Sequence, residues 1–211
     1  MGAAYAKYAM DPNWYIDGLA GLGWQTYKSV RVITLPLSAI ANSSYQGQGY
    51  RAYGETGYTL RLAVLEDTAL EVTPYVGLGY LYAHTDAFAE TGAGVESLSV
   101  QAMDTDSLAT TLGARAATVW RVGDSVFRPA LRAGWQHEWL DASATVRATF
   151  EQAPGSVMTA TGAAFSRASF VGGAGITTDI TSSIQVFANY DAKVNGGYVG
   201  QVVSGGFHVS F

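Results

Sequence analysis

The chain has 211 residues, enough for one domain of ordinary size. Hydrophobic residues make up 48%, yet no stretch approaches the run of about 20 apolar residues that a membrane-crossing helix needs. Charged residues are only 14%, below the roughly 25% of typical soluble domains, the lack of cysteine excludes disulfides and thiol chemistry, and a net charge of −5 argues against nucleic acid as a partner.

Period-two alternation runs through almost the whole chain, and helix-period patterning is absent. A short strand is expected at 2–9. Residues 14–34 put Trp14, Ile16, Ala20, Leu22, Trp24, Val30 and Val32 on one face and Asp17, Gly21, Gly23, Gln25, Ser29 and Arg31 on the other; Leu19 and Ile33 break the pattern. At this length the segment exceeds an ordinary soluble strand of about 5–6 residues and suits a tilted barrel strand. The next strands are expected at 50–64 (Leu60 and Leu62 against Arg51, Glu55 and Arg61) and 70–82 (Val72, Val76 and Leu78 against Glu71 and two glycines). Those at 107–120 and 126–139 set Leu112 and Leu131 against Arg115, Arg128, Arg132 and Glu138. Segments 167–178 and 183–193 set Phe170, Ile176, Ile184 and Val186 against Arg167, Asp191 and Lys193. A closing strand at 198–211 ends on the alternating Val203, Gly205, Phe207, Val209 and Phe211, flush with the C-terminus.

Short polar turns are expected at 11–13, 66–68, 123–125 and 179–182. Long loops are expected at 36–48, 85–106 and 141–165, the last extended by an alternating stretch at 143–150. Short turns on one rim and long loops on the other are the arrangement of outer-membrane barrels. The fold expected is therefore all-β, an antiparallel up-and-down transmembrane β-barrel with about nine strands present. A soluble sandwich or lipocalin-like barrel would instead turn its apolar side into a packed core and show a Lys- and Glu-rich exterior. Here the polar faces are rich in Gly, Ser, Thr and Arg.

The registers send Arg31, Arg51, Arg61, Arg115, Arg128, Arg132, Arg167 and Lys193 inward, with Asp17, Glu55, Glu71, Glu138 and Asp191. Lys28 alone is assigned to the lipid face, near a strand's outer end where it can snorkel. A lipid-facing Arg or Lys at the midplane costs roughly 2–4 kcal/mol, which makes this sorting a physical requirement. The interior charges read either as a net-positive conduit or as pairs that simply fill the barrel, and the two readings are compatible. Aromatics near strand ends, among them Trp14, Tyr15, Trp24, Tyr80, Tyr82 and Trp139, suit interface girdles.

Several stretches, in order, resemble the C-terminal β-domain of monomeric autotransporters: residues 2–6 (GAAYA), 14–18 (WYIDG), 54–58 (GETGY), 74–80 (PYVGLGY), 127–138 (FRPALRAGWQHE), 188–191 (ANYD) and 207–211 (FHVSF). In the stretch at 188–191, which resembles the family's "YDG" strand, Ala192 stands where Gly is usual. The resemblance implies a twelve-stranded outer-membrane barrel whose first strands and lumen helix lie outside this chain, the whole of 1–211 being one translocator domain. It further implies outer-membrane lipid as surroundings and the barrel-assembly machinery as a partner that reads the closing strand (Val203, Gly205, Phe207, Val209, Phe211). Other implications are an N-terminal passenger with a linker helix as cargo, a monomeric state and no cofactor. Because residues 1–5 show no export signal, the chain reads as a processed form or a piece of a longer protein. A passive pore explains the alternation equally well but not the order of motifs. An outer-membrane enzyme is the third reading; His84, His137 and His208 have no Ser or acid convincingly arrayed beside them, no Asp, Glu or His spacing suggests a metal, and no catalytic residue is assigned.

Overall fold

The computed structural model describes residues 1–34, 38–65, 68–123, 125–140, 143–162 and 166–209. Its strands in chain order are β1 (Gly2–Ala9), β2 (Trp14–Ile33), β3 (Ala39–Tyr58), β4 (Leu60–Leu65), β5 (Thr68–Thr85), β6 (Phe88–Ala89), β7 (Leu98–Val100), β8 (Met103–Thr118), β9 (Trp120–Val122), β10 (Ser125–Glu138), β11 (Thr145–Phe150), β12 (Ala153–Thr161), β13 (Ala168–Asp179), β14 (Ile184–Asn195) and β15 (Tyr198–Val209). The main sheet runs β1-β2-β3-β5-β8-β10-β13-β14-β15, every neighbouring pair antiparallel. β4 prolongs the line of β3 past Thr59 and β9 that of β8 past Val119, so the sheet has nine columns among the described residues. This is the expected up-and-down order. The sheet curls into a partial barrel, and among the described residues the outer edges of β1 and β15 have no strand partner. With nine alternating columns β1 and β15 run the same way, so antiparallel closure takes an odd number of further strands.

The turns at one rim are built from local side chains. Asp11 Oδ1 accepts the amides of Asn13 and Trp14 at 2.7 and 2.8 Å, and Thr181 Oγ1 does the same for Ser183 and Ile184. Gly123 opens its turn at φ +58°, where a side chain would be strained. Glu66, Asp67 and Asp124, assigned to turns, lie outside the described residues.

The opposite rim differs from expectation. Residues 39–48, assigned to a long loop, are the outer half of β3, paired residue for residue with β2 as far as Ile33. Its outward positions there are Ile40, Asn42, Ser44, Gln46 and Gln48, four of the five polar, as suits a part of the hairpin that stands above the hydrocarbon. β8 likewise begins four residues early, and its Asp104 and Asp106 share the face of Tyr82 and His84. Lys28 is therefore joined by two acids on that face. Segments within the loops 85–106 and 141–165 form a second sheet, β12-β11-β7-β6, with the expected alternating stretch as β11. This lobe is tied to β3 by an Asn42–Thr91 bridge and to β2 by Arg31, which holds Glu90 through Nε at 3.0 Å and donates to the Glu96 carbonyl at 2.7 Å. Ile33, the residue out of pattern, packs there with Ala41 and Ala93.

Burial is the reverse of a soluble domain's. Among the described residues no large side chain is fully buried, whereas Val203, Phe207, Trp24 and Leu131 are 80%, 74%, 68% and 63% exposed. A contiguous apolar surface of this kind needs a covering, and for a curled sheet with aromatics at its margins that covering is lipid.

Candidate functional site

Residues directly opposite in an antiparallel pair project to the same side. Following the register across the sheet therefore sorts every side chain. One row reads Lys7, Asp17, Glu55, Gly77, Thr111, Gln136, Ser169, Asn195; its neighbour on the other side reads Gly18, Gly54, Leu78, Thr110, His137, Ala168. By the same pairing, Arg31, Arg51, Arg61, Glu71, Arg115, Arg128, Arg132, Glu138, Asp191 and Lys193 lie on the face of Asp17 and Glu55. Arg167 precedes β13 and donates to the Glu138 carbonyl at 3.2 Å. The residues Lys7, Arg121 and Asp179 share this face too and were not singled out from the sequence.

This face is the concave one, and the proof is in its longest reach. Arg115 on β8 donates through Nη1 to Tyr15 Oη on β2 at 2.5 Å. Three inter-strand spacings separate those columns, about 14 Å along a flat sheet. The two side chains meet only because the sheet bends towards them. Arg115 also grips Glu55 with both ends of its fork, Nη1 to Oε1 at 2.5 Å and Nη2 to Oε2 at 2.8 Å, while its guanidinium lies 4.2 Å from the centroid of Tyr75. Tyr15 and Tyr53 each donate to Glu55 at 2.6 Å. Glu55 thus accepts four hydrogen bonds and is 4% exposed, the price of burial offset by a complete shell.

Glycine on the facing strands makes this possible. Tyr75 lies flat over Gly113, where a Cβ would sit 2.6 Å from its hydroxyl; Tyr15 covers Gly57 in the same way, at 2.7 Å. The ring fills the space the missing side chain leaves. Tyr15, Tyr53 and Tyr75 were not picked out for this role by sequence reasoning, although their inward parity and a glycine directly or diagonally opposite were readable signals.

Further round the curve Arg132 reaches across β13 to Asp191, Nη2 to Oδ1 at 2.6 Å, passing over Gly173. Arg128 holds Asp179 with two bonds of 2.8 and 2.7 Å, and Arg61 meets Glu71 at 3.0 Å. Glu138 accepts Ser107 Oγ at 2.6 Å and the Leu108 amide at 2.9 Å. Arg51 stands beside a hollow floored by Gly21, Gly23, Gly49 and Ala83, and no ion-pair partner is present for it or for Lys193 among the described residues.

On the convex face Val203, Gly205, Phe207 and Val209 point outward along β15, which is bonded on one edge to β14. Phe211 lies outside the described residues. The histidines are scattered. His84 contacts Asp104 and Asp86 at the outer end of β5, at 2.7 and 3.2 Å. His137 stacks on Trp135 and meets Trp139 edge-on, and His208 sits opposite Gln185.

A profile of the family described as the autotransporter β-domain matches residues 1–191. The chain belongs to that family. It is accordingly an autotransporter β-domain of the bacterial outer membrane. Over 188 residues the chain is 25% identical to an "Outer membrane protein A" of Rickettsia conorii (strain ATCC VR-613 / Malish 7), the match covering 87% of this chain and 9% of that protein. The chain therefore spans a small part of that relative's length. Its fold resembles the translocator domain of the autotransporter NalP from Neisseria meningitidis, with a TM-score of 0.67 at 18% identity, covering 99% of this chain and 64% of that one.

Proposed function

We propose that the concave face is the water-facing wall of the conduit through which this protein's own N-terminal passenger reaches the cell surface. The observation that supports this best is the sorting itself: every strand residue named above as an inward charge lies on the curved-in side, and the opposite side is apolar apart from Lys28, His84, Asp104, Asp106 and His137 towards its outer end. Residues 1–211 act as one translocator unit, monomeric, completed by upstream strands and by a linker helix running to the passenger. An odd number of added strands, three in a twelve-stranded barrel, closes the sheet. The assembly machinery reads the closing strand through Val203, Gly205, Phe207, Val209 and Phe211. Asp17, Arg31, Arg51, Glu55, Arg61, Glu71, Arg115, Arg128, Arg132, Glu138, Arg167, Asp191 and Lys193 line the interior.

The test is export by the full-length protein in a Gram-negative host, read by protease accessibility of the passenger on intact cells. Deleting Phe211 together with Phe207→Asp is expected to abolish the heat-modifiable folded barrel and, with it, surface display. A passenger displayed at undiminished level by that variant would refute the role given to the closing strand. A wild-type protein that inserts but displays nothing would refute the translocator reading.

A further inference from the structure

The second sheet is the barrel wall carried on above the membrane. Thr85 pairs with Met103 at the end of the β5–β8 ladder and Phe88 with Val100 at the start of β6–β7, so the offset between the two chains is unchanged across the break. The ladders of β10 cross it with a shift of one residue each: Glu138 opposite Ala109 is followed by Ala148 opposite Val100, and His137 opposite Ala168 by Thr145 opposite Thr161. Among the described residues four neighbouring columns thus continue outward as β6, β7, β11 and β12, beside the outer half of β3, to which Thr91 is bonded. Across that break the wall reverses its chemistry. Below it the inward row Thr111, Gln136, Ser169 is polar and the outward row Leu112, Trp135, Phe170 is apolar. Above it Phe88 stacks on Tyr45 at 4.1 Å and Glu90 is held by Arg31, and both Tyr45 and Arg31 lie on the side of Arg51 and Glu55. The row of Phe88 runs on through Val100, Ala148 and Met158, with Leu98 opposite Phe150 on the same side. The inward side is apolar here, and the outward side carries Ser99, Arg147, Thr149 and Thr159, with Val157 and Ala89 as its apolar members. Met158 is 40% exposed and Phe88, Leu98, Val100 and Phe150 are half-buried, so the inner face is open.

We propose that this apolar inner face is a docking surface for the exported polypeptide itself, a segment with apolar side chains along one side that is held at the mouth as it leaves the conduit. The inference rests on the translocator reading. Sidedness selects the occupant. Lipid, or a second copy approaching in the plane of the membrane, meets the outward face, which at this height is mostly polar. The inner face is continuous with the water-facing wall, so a chain that has come through the conduit is what lies against it. A polar lining lets such a chain slide, whereas an apolar patch beyond it gives the chain surface to bury.

A photo-crosslinking residue placed singly in the full-length protein, displayed by a Gram-negative host, decides this. Positions 100, 150 and 158 report on the inner face, and positions 99 and 149 on the outer. From the inner sites, crosslinks are expected into the exported polypeptide of the same molecule, located by mass spectrometry. Their yield should exceed that of the outer sites about tenfold, a ratio that burial of one apolar side chain supports. V100S/F150S is expected to cut the crosslink from position 158 about tenfold while the heat-modifiable mobility of the folded barrel stays unchanged. Should that variant fail to fold, F150S alone carries the test, with a loss of about threefold expected. Crosslinks from the inner sites to lipid or to a second copy, no crosslink, equal yields from the two faces, or a yield from 158 that a folded variant leaves unchanged each overturns the proposal. The passenger is displayed in all of those cases, so the translocator reading stands. An inserted wild-type barrel that displays no passenger overturns both.

Discussion

Arg115→Met tests the energetics of the interior most sharply. The substitution keeps an unbranched apolar stem but removes the guanidinium, leaving Glu55, 4% exposed, with the two tyrosine hydroxyls alone. Two charge-assisted bonds disappear, each worth about 1.5–3 kcal/mol where no water replaces them. The Arg115 side chain is 36% exposed towards the wet interior, so water restores part of the loss. The expected cost is about 2–3 kcal/mol, below the 3–5 kcal/mol of a fully buried broken pair. Removing the second charge as well, in E55M/R115M, abolishes the stranded carboxylate and should return stability to within about 1 kcal/mol of the parent. The assay is urea unfolding of the full-length protein refolded into vesicles, followed by the mobility shift of the folded barrel. The reasoning is refuted if R115M loses less than about 0.5 kcal/mol, or if the double variant is less stable than either single one.

Three other outcomes follow from the same geometry. Leu131→Arg, on the convex face among apolar neighbours, should cost about 2–4 kcal/mol and cut the folded fraction in membranes, whereas Ala130→Arg on the concave face should fold nearly normally; pulse-chase of the folded form separates them. Gly113→Ala should displace Tyr75 and lower stability by about 1–3 kcal/mol, and Gly113→Ala combined with Tyr75→Ala should recover part of it in the same unfolding assay. The Arg31 guanidinium, aided by the Leu98 amide and opposed by burial, holds the Glu90 carboxyl below the usual carboxylate range. A depressed carboxyl stabilises docking of the β6–β7 lobe at any pH above its ordinary value of about 4.3, and that contribution disappears as pH falls through the lowered native value. Hydrogen exchange at 88–100 should therefore accelerate in acid for the wild type and show little pH dependence for Glu90→Gln beyond intrinsic exchange.

The order and parity of the strands were readable because lipid on one side and water on the other impose a period of two wherever a strand crosses the membrane. That signal stops where the hydrocarbon stops. The outer half of β3 was read as loop since Asn42, Ser44, Gln46 and Gln48 meet no lipid, and the start of β8 was missed at Asp104 and Asp106 for the same reason. Ile33 broke the alternation because it packs under the lobe. Which interior charges pair was beyond reach of the pattern. Glu55 and Arg115 are 60 residues apart and lie on non-adjacent strands, so their meeting depends on register and curvature together. Asp179, filed with a turn, proves to be the partner of Arg128.

The central claim, that the convex face touches hydrocarbon and the concave face water, is tested most directly by single cysteines, since the chain has no cysteine of its own. Neighbouring sites on opposite faces, Ala130 against Leu131 and Ser204 against Val203, are replaced one at a time in the full-length, membrane-inserted protein and exposed to a charged, water-soluble maleimide. Cysteines at 130 and 204 should label rapidly and those at 131 and 203 hardly at all until detergent is added. Labelling of 131 and 203 in intact membranes, with 130 and 204 protected, would contradict the account.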